Sequence, residues 1–315
     1  MSEQITAPAG ESKPKTPDSK PQSSLIMGGG YHDGGVIANR LGLQFLRIAA
    51  MNTSFRMRRR TVDEDIRPWV EQFERDGVLV IENFLPTDTF ARIKEDVDKA
   101  YEAGLFRSDE EDDVLVETLN VTKHHKKVPD LWELANGVDM LNRLGAAVAR
   151  LQAIERMQVD VNYMSKRPEA PPPEKLRGNN LLHSDVHYPS PKAWLYLNEI
   201  DEANGALVYA KGSHKMTPAR LAHDYDVSVR IAKAKQEGTL YTAEPVCQTR
   251  FPTEKQWRSM GLVETVAAGP PNTIVFADVM GFHRRGEFDD SGRRREQVLF
   301  RFGDRPARRK PQQAA

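Results

Sequence analysis

Cysteine is nearly absent from this chain: Cys247 stands alone among 315 residues. One thiol cannot close an intramolecular disulfide, which excludes a disulfide-stapled scaffold and suits a reducing compartment. Cys247 itself reads as a buried, inert thiol. Net charge is lacking too, because 45 basic residues cancel 45 acidic ones. No global field therefore draws the chain to nucleic acid or to a membrane. Long apolar runs are missing: none approaches the roughly 20 residues of a membrane-spanning helix. The beginning also lacks the charged start and apolar stretch of a secretory signal. The expectation is a cytoplasmic protein without a transmembrane segment.

The 39% hydrophobic content suffices for one sizeable core. Residues 1–35 are rich in Pro, Ser, Lys and Gly and too poor in apolar side chains to offset chain entropy, so a disordered tail is expected there. Residues 36–61 form a basic segment. Within it Val36 to Arg60 reads as an amphipathic helix, with Ile37, Leu41, Leu43, Phe45, Leu46 and Ile48 interleaved with Arg40, Arg47 and Arg56. Its apolar stripe is expected to pack on the main domain or a second subunit. Peripheral contact with anionic lipid is the other reading. Oligomeric state is not legible. A main domain then spans 62–305, with a tail over 306–315.

Within that domain helical spacing comes first. Ile66, Val70 and Phe73 recur over Val62 to Arg75, ended by Gly77; Phe90, Ile93, Val97 and Tyr101 follow Pro86 and Thr87; a third helical stretch covers Pro129 to Met157. Short strands are expected at Val78–Ile81, Val159–Tyr163, Ala193–Leu197, Ala206–Tyr209, Leu262–Val266, Thr273–Phe276 and Gln297–Phe302. Asp109 to Asp113 reads as an acidic surface loop, and His124 and His125 as part of a basic surface strip. Pro218 to Gln236 reads as a helical insertion, either a lid whose Arg220, Arg230, Lys233 and Lys235 wall the mouth or an ordinary amphipathic helix. Helices first and many short strands afterwards predict a mainly β fold with helical additions, a sandwich or barrel in a helical jacket.

The chemistry concentrates in His183-Ser184-Asp185 and in His283, 98 positions beyond the aspartate. On an extended chain residues two apart share a face, so His183 and Asp185 can hold one ion together. Two imidazoles and a carboxylate make one face of an octahedral Fe(II) site and leave three positions for a co-substrate and O2. Zinc accepts such a ligand set as well, but zinc chemistry does not explain the arginines downstream. Arg293, Arg294 and Arg295 precede the strand that ends in Phe302. A guanidinium can grip a carboxylate through two parallel hydrogen bonds, as the far end of 2-oxoglutarate would require. If Val298, Phe300 and Phe302 face one side, Arg295, Gln297 and Leu299 face the other. That favours Arg295, while a bulge would substitute Arg294.

These residues sit in an ordered series of motifs. Phe73-Glu74-Arg75-Asp76-Gly77-Val78-Leu79-Val80-Ile81, His183-Ser184-Asp185-Val186-His187-Tyr188-Pro189, Ala193-Trp194, Asn204-Gly205-Ala206-Leu207-Val208 and Lys211-Gly212-Ser213-His214-Lys215 succeed one another. From about Glu71 to Phe302 the chain resembles the phytanoyl-CoA dioxygenase family of Fe(II)- and 2-oxoglutarate-dependent oxygenases. The resemblance implies a double-stranded β-helix, a jelly-roll core of cupin type flanked by N-terminal helices. It implies a metal triad of His183, Asp185 and His283, with Arg295 on the distal carboxylate and Trp194 beside the co-substrate. Asn162 and Ser184 are further pocket candidates. Ser184 stands where the family often has glutamine. His214 is expected to brace its turn, and His187 to lie near the substrate. The implied reaction hydroxylates a small-molecule or acyl substrate with release of succinate and CO2. Desaturation, cyclisation and epimerisation remain open, while a carboxylate at Asp185 disfavours halogenation. A catalytically silent jelly roll that binds metabolites is the competing reading.

Overall fold

A computed structural model describes residues 34–302 except 59, 61, 112, 138, 155–156, 169–177, 240–251, 253 and 290. The expected tails (but for residues 34 and 35), Cys247 and most of the Pro168–Asn180 loop lie outside the described residues.

Two antiparallel sheets make the core. The larger joins β1 (Val78–Ile81), β2 (Arg107–Glu111), β3 (Val114–Asn120), β4 (Met157–Lys166), β5 (Pro191–Tyr196), β8 (Ile274–Asp278) and β10 (Arg295–Phe302) in the order β1-β8-β5-β10-β4-β3-β2. The smaller joins β6 (Leu207–Lys211), β7 (Val263–Ala267) and β9 (His283–Arg285) in the order β7-β6-β9. An isolated bridge between His183 and His283 extends the smaller sheet on its β9 side. This is the expected jelly roll.

Strand periodicity divides the apolar side chains between two cores. On β10, Val298 and Phe300 join a cluster with Val70 and Phe73 of α3 (Arg67–Asp76) and Ile93 and Val97 of α4 (Thr87–Glu102). The same cluster takes Leu131 of α6 (Pro129–Asn136) and Leu141 and Leu144 of α7 (Met140–Val148). This is the helical jacket. Leu299 faces the other way and packs with Trp194, Tyr196, Leu207, Tyr209 and Val275 between the sheets. Each such burial is worth roughly 1.5–3 kcal/mol. Together they clamp the larger sheet from both sides and fix the direction of each β10 side chain.

Several expectations need correction. The single helix expected over 36–60 is two, α1 (Gly35–Arg40) and α2 (Leu43–Met57), broken at Gly42, whose φ of 93° suits glycine. Its apolar stripe packs inward only in part: Ile48 is buried, together with Asn39, Gln44 and Arg47, while Ile37, Leu41 and Leu46 are exposed. The first domain helix starts at Arg67, with Pro68 in its opening turn, rather than at Val62. Pro129–Met157 contains α6 and α7, separated by a break around Gly137, before β4 begins at Met157. The acidic loop at 109–113 is largely β2, paired with β3 to form the sheet edge. Charged strands at an edge resist pairing with another chain, so acidic composition concealed a strand.

The segment joining β8 to β9 holds the second histidine and is tied down from several sides. Tyr209 Oη donates to the Asp278 carbonyl at 2.9 Å, Ser213 Oγ accepts from the Phe282 N–H at 2.7 Å, and Asp278 Oδ1 accepts from the Ser190 and Met280 N–H groups. From α8 (Pro218–Gln236), buried Arg220 donates to the Met280 carbonyl at 2.8 Å and the Ser213 carbonyl at 2.6 Å, pairs with Asp224, and lies over the Phe282 ring. The expected helix at 218–236 is therefore present, but Arg220 braces the site from behind instead of walling its mouth. At Gly281 a Cβ would collide with the Tyr209 hydroxyl and approach Ser213 Oγ to 2.9 Å. Gly281→Ala is expected to cost about 1–3 kcal/mol, measured as a lower urea midpoint with an unchanged slope.

Candidate metal centre

His183 and His283 exchange backbone hydrogen bonds, each N–H donating to the other's carbonyl at 2.9 and 2.8 Å. That pairing sets their imidazoles side by side, with ring centroids 4.6 Å apart. Asp185 joins them from a bend and not from a regular strand; its N–H donates to the Val279 carbonyl at 3.0 Å. One ligand atom from each residue lies within 4.8 Å of the others.

The imidazoles are oriented through their second nitrogens. Nδ1 of His183 lies 2.7 Å from the Leu181 carbonyl, and Nδ1 of His283 lies 2.9 Å from the Gly281 carbonyl. A carbonyl only accepts, so each Nδ1 carries the proton and each Nε2 is left with a lone pair. Those Nε2 atoms stand 3.4 and 3.6 Å from Asp185 Oδ1. Two lone pairs and a carboxylate oxygen converging in a half-buried site repel one another, and a cation removes the repulsion. The donor set fits a divalent metal. Asp185 Oδ2 is occupied separately by Lys192 Nζ at 2.6 Å. Burial raises the Asp185 carboxyl, but when no metal is held, hydrogen bonds from the imidazoles in their protonated form, with the Lys192 charge, outweigh it and hold the group well below the usual carboxylate range.

The arginine alternatives separate cleanly. β10 pairs with β4 without interruption from Arg295↔Met164 to Phe302↔Met157, so no bulge intervenes. Arg295 is buried and points between the sheets; Nε donates to Gln297 Oε1 at 2.9 Å and Nη1 to the Gly205 carbonyl. Arg294 faces the helical side, over the Tyr101 and Tyr163 rings, and pairs with Glu296. Arg293 pairs with Asp201 on the surface. Among the described residues no carboxylate pairs with Arg295. Burial pushes its pKa down to about 10, against the favourable influence of Tyr196; the charge of Arg285 lowers it further. A buried cation with only neutral partners calls for an anion, which fits the distal carboxylate of 2-oxoglutarate.

Trp194 lies on the inner face, next to Leu299 in the strand pairing. Asn162 is inside as well, opposite Gln297, and accepts from Thr118 Oγ1 at 3.0 Å. Ser184 is buried between the two ligands in sequence but lies outside the triad. His214 braces its turn, with Nε2 3.1 Å from the Glu74 carbonyl, as expected. His187 is buried and meets Tyr188 edge-on.

Two residues escaped the sequence reading. Lys192 is one. The other is Arg285, two positions past His283 on β9 and buried; Nη2 donates to Asp113 Oδ1 at 2.5 Å, while Nε and Nη2 reach Asn180 Oδ1 at 3.1 and 2.9 Å. Strand periodicity from His283 was the available signal for Arg285. Asp113, hidden in the acidic run, carried none.

The sequence model of the phytanoyl-CoA dioxygenase family (PhyH) matches residues 73–246, more than half of the chain. The chain belongs to this family. It is accordingly an iron- and 2-oxoglutarate-dependent oxidoreductase. No curated protein matches it in sequence. Among solved structures it is similar to the epimerase SnoN from nogalamycin biosynthesis in complex with Fe3+, alpha ketoglutarate and nogalamycin RO: identity is 11%, TM-score 0.48, and coverage 76% of this chain and 84% of that one. EctD from S. alaskensis with 2-oxoglutarate and 5-hydroxyectoine gives 16%, 0.48, 78% and 79%. AviO1 from Streptomyces viridochromogenes Tue57 gives 18%, 0.48, 80% and 100%. Likeness at this distance says nothing about substrate. No described helix is long and apolar enough to cross a membrane.

The buried Arg285–Asp113 pair supports a measurable expectation. Arg285→Leu strands the Asp113 carboxylate and should cost about 3–5 kcal/mol in equilibrium unfolding, whereas Arg285→Leu with Asp113→Leu should recover most of that loss.

Proposed function

We propose that His183, Asp185 and His283 ligate Fe(II), that Arg295 binds the distal carboxylate of 2-oxoglutarate, and that the reaction hydroxylates an unactivated C–H bond of a small-molecule or acyl substrate. The observation carrying this reading is the presence of two complementary features on the two sheets: three convergent acceptors that suit a cation, and a buried guanidinium with neutral partners that suits an anion. When bound, iron supplies activation of O2 coupled to decarboxylation of 2-oxoglutarate, yielding succinate and CO2.

The chain's own residues supply geometry. The carbonyls of Leu181 and Gly281 hold both imidazoles in the ligating tautomer. Lys192 occupies Asp185 Oδ2 and leaves Oδ1 turned toward the two imidazoles, so Asp185 would hold a metal through that oxygen. Tyr196, Leu207, Tyr209 and Leu299 exclude water from the space behind it. A carboxylate at position 185 fills the place a halide would need, which favours hydroxylation. The catalytic unit is read as residues 62–305, with α1 and α2 as an appendage and the cytoplasm as the compartment.

Anaerobic addition of Fe(II) and 2-oxoglutarate should produce a visible metal-to-ligand charge-transfer band. Asp185→Ala should abolish it, and an undiminished band would remove Asp185 from the ligand set. Arg295→Met should weaken 2-oxoglutarate binding by roughly two to three orders of magnitude, the cost of an unpaired buried charge, as read by titration calorimetry. Arg294→Met should leave that affinity within about twofold, since its guanidinium lies on the opposite face of the strand.

A further inference from the structure

The two N-terminal helices bury one face, with Ile48 and Met51 inside, and leave further apolar side chains exposed on another. Asn39, Gln44 and Arg47 are buried, and the Gln44 amide has no hydrogen-bond partner among the described residues. Beside them the apolar side chains divide: Ile48 and Met51 are buried, but Ile37 is 77% exposed, Leu41 83%, Leu46 61% and Met57 76%. Phe45 is partly spared, stacked on Tyr225 of α8. Apart from these five exposed side chains, Val263 is the one exposed large hydrophobic residue among the described residues. Scattered apolar exposure is ordinary, but concentration on one element marks a surface that is covered in use. Along α2, Leu46, Ala49, Thr53 and Met57 recur at helical spacing and, with Ala50, Ser54 and Arg58, line an open groove of about 690 Å³.

Charge identifies what covers it. From Gly34 to Arg60 the chain carries six arginines (Arg40, Arg47, Arg56, Arg58, Arg59 and Arg60) and no aspartate or glutamate, in a protein whose charges balance over the whole chain. Arg40 is exposed at the end of α1 and Arg56 near the end of α2. Arg47 is buried and Arg60 pairs with Glu74, so among the described residues the exposed charge is that of Arg40 and Arg56, and a second copy meeting this face would set these arginines against their own counterparts. An anionic bilayer meets both halves of the surface, because guanidinium groups reach phosphates while aliphatic stems and apolar side chains enter the acyl boundary.

We infer that α1 and α2 form a peripheral docking surface for anionic lipid bilayers, lying in the headgroup plane with Ile37, Leu41, Leu46 and Met57 inserted. α2 is 15 residues long, about 22 Å of helix, too short to span and suited to lie flat. The surface packs on α8, whose Arg220 braces the segment leading to His283, so a docked molecule carries its metal site one helix layer from the bilayer. This inference does not depend on the catalytic reading.

The test is flotation of the full-length protein with phosphatidylcholine vesicles that contain or lack phosphatidylserine. Binding to the phosphatidylserine vesicles is expected, weakened at least about tenfold without anionic lipid or in about 0.5 M salt. Leu46→Glu with Met57→Glu should reduce it by at least about tenfold, while thermal midpoint and 2-oxoglutarate binding stay unchanged because both positions are exposed. Equal binding to neutral vesicles, no binding to either, or insensitivity to the double substitution would overturn the inference. So would light scattering that shows a dimer disrupted by the same substitutions, since a second copy would then be the occupant.

Discussion

Three electron-rich atoms held against one another shape everything near the centre of this molecule. Left alone, two imidazole lone pairs and a carboxylate oxygen would turn apart. Here they cannot, because each imidazole is fixed from behind by a carbonyl two residues earlier, and both histidines belong to one backbone pair. A positive charge, whether protons on the imidazoles or a bound cation, therefore satisfies all three atoms together. Surrounding interactions serve that arrangement: Arg220 and Ser213 hold the 280–283 segment, Tyr209 caps the Asp278 carbonyl, and Lys192 occupies the unused carboxylate oxygen.

A second constraint lies on the larger sheet, at the start of β10. Arg295 sits among neutral partners, and Arg285 lies near enough for its charge to be felt. Asp113 offsets Arg285 but not Arg295. The interior thus keeps one uncompensated positive charge at the end of β10 that faces away from Arg301.

Legibility in the sequence followed the physics of each signal. The core strands were readable because period-two alternation is strict on β10, and the same alternation chose Arg295 over Arg294 once an unbroken register excluded a bulge. The triad was readable because histidine and aspartate at short spacing near apolar runs have few other uses. β2 was not, because an edge strand composed of Arg107, Ser108, Asp109, Glu110 and Glu111 offers no apolar period. Helix α2 misled in the opposite sense: it has apolar residues in abundance, but composition does not say which side faces in. Lys192 and Asp113 work through partners brought from distant parts of the chain, and pairings of that kind leave no trace in local spacing.

The double duty of β10 constrains how the protein can vary. Its even-numbered phenylalanines and valine fill the jacket core while its odd-numbered polar residues furnish the pocket. Deleting one codon in this strand would push an arginine into the jacket and a phenylalanine into the pocket in a single event. Point changes on either face are independent, but frame within the strand is not.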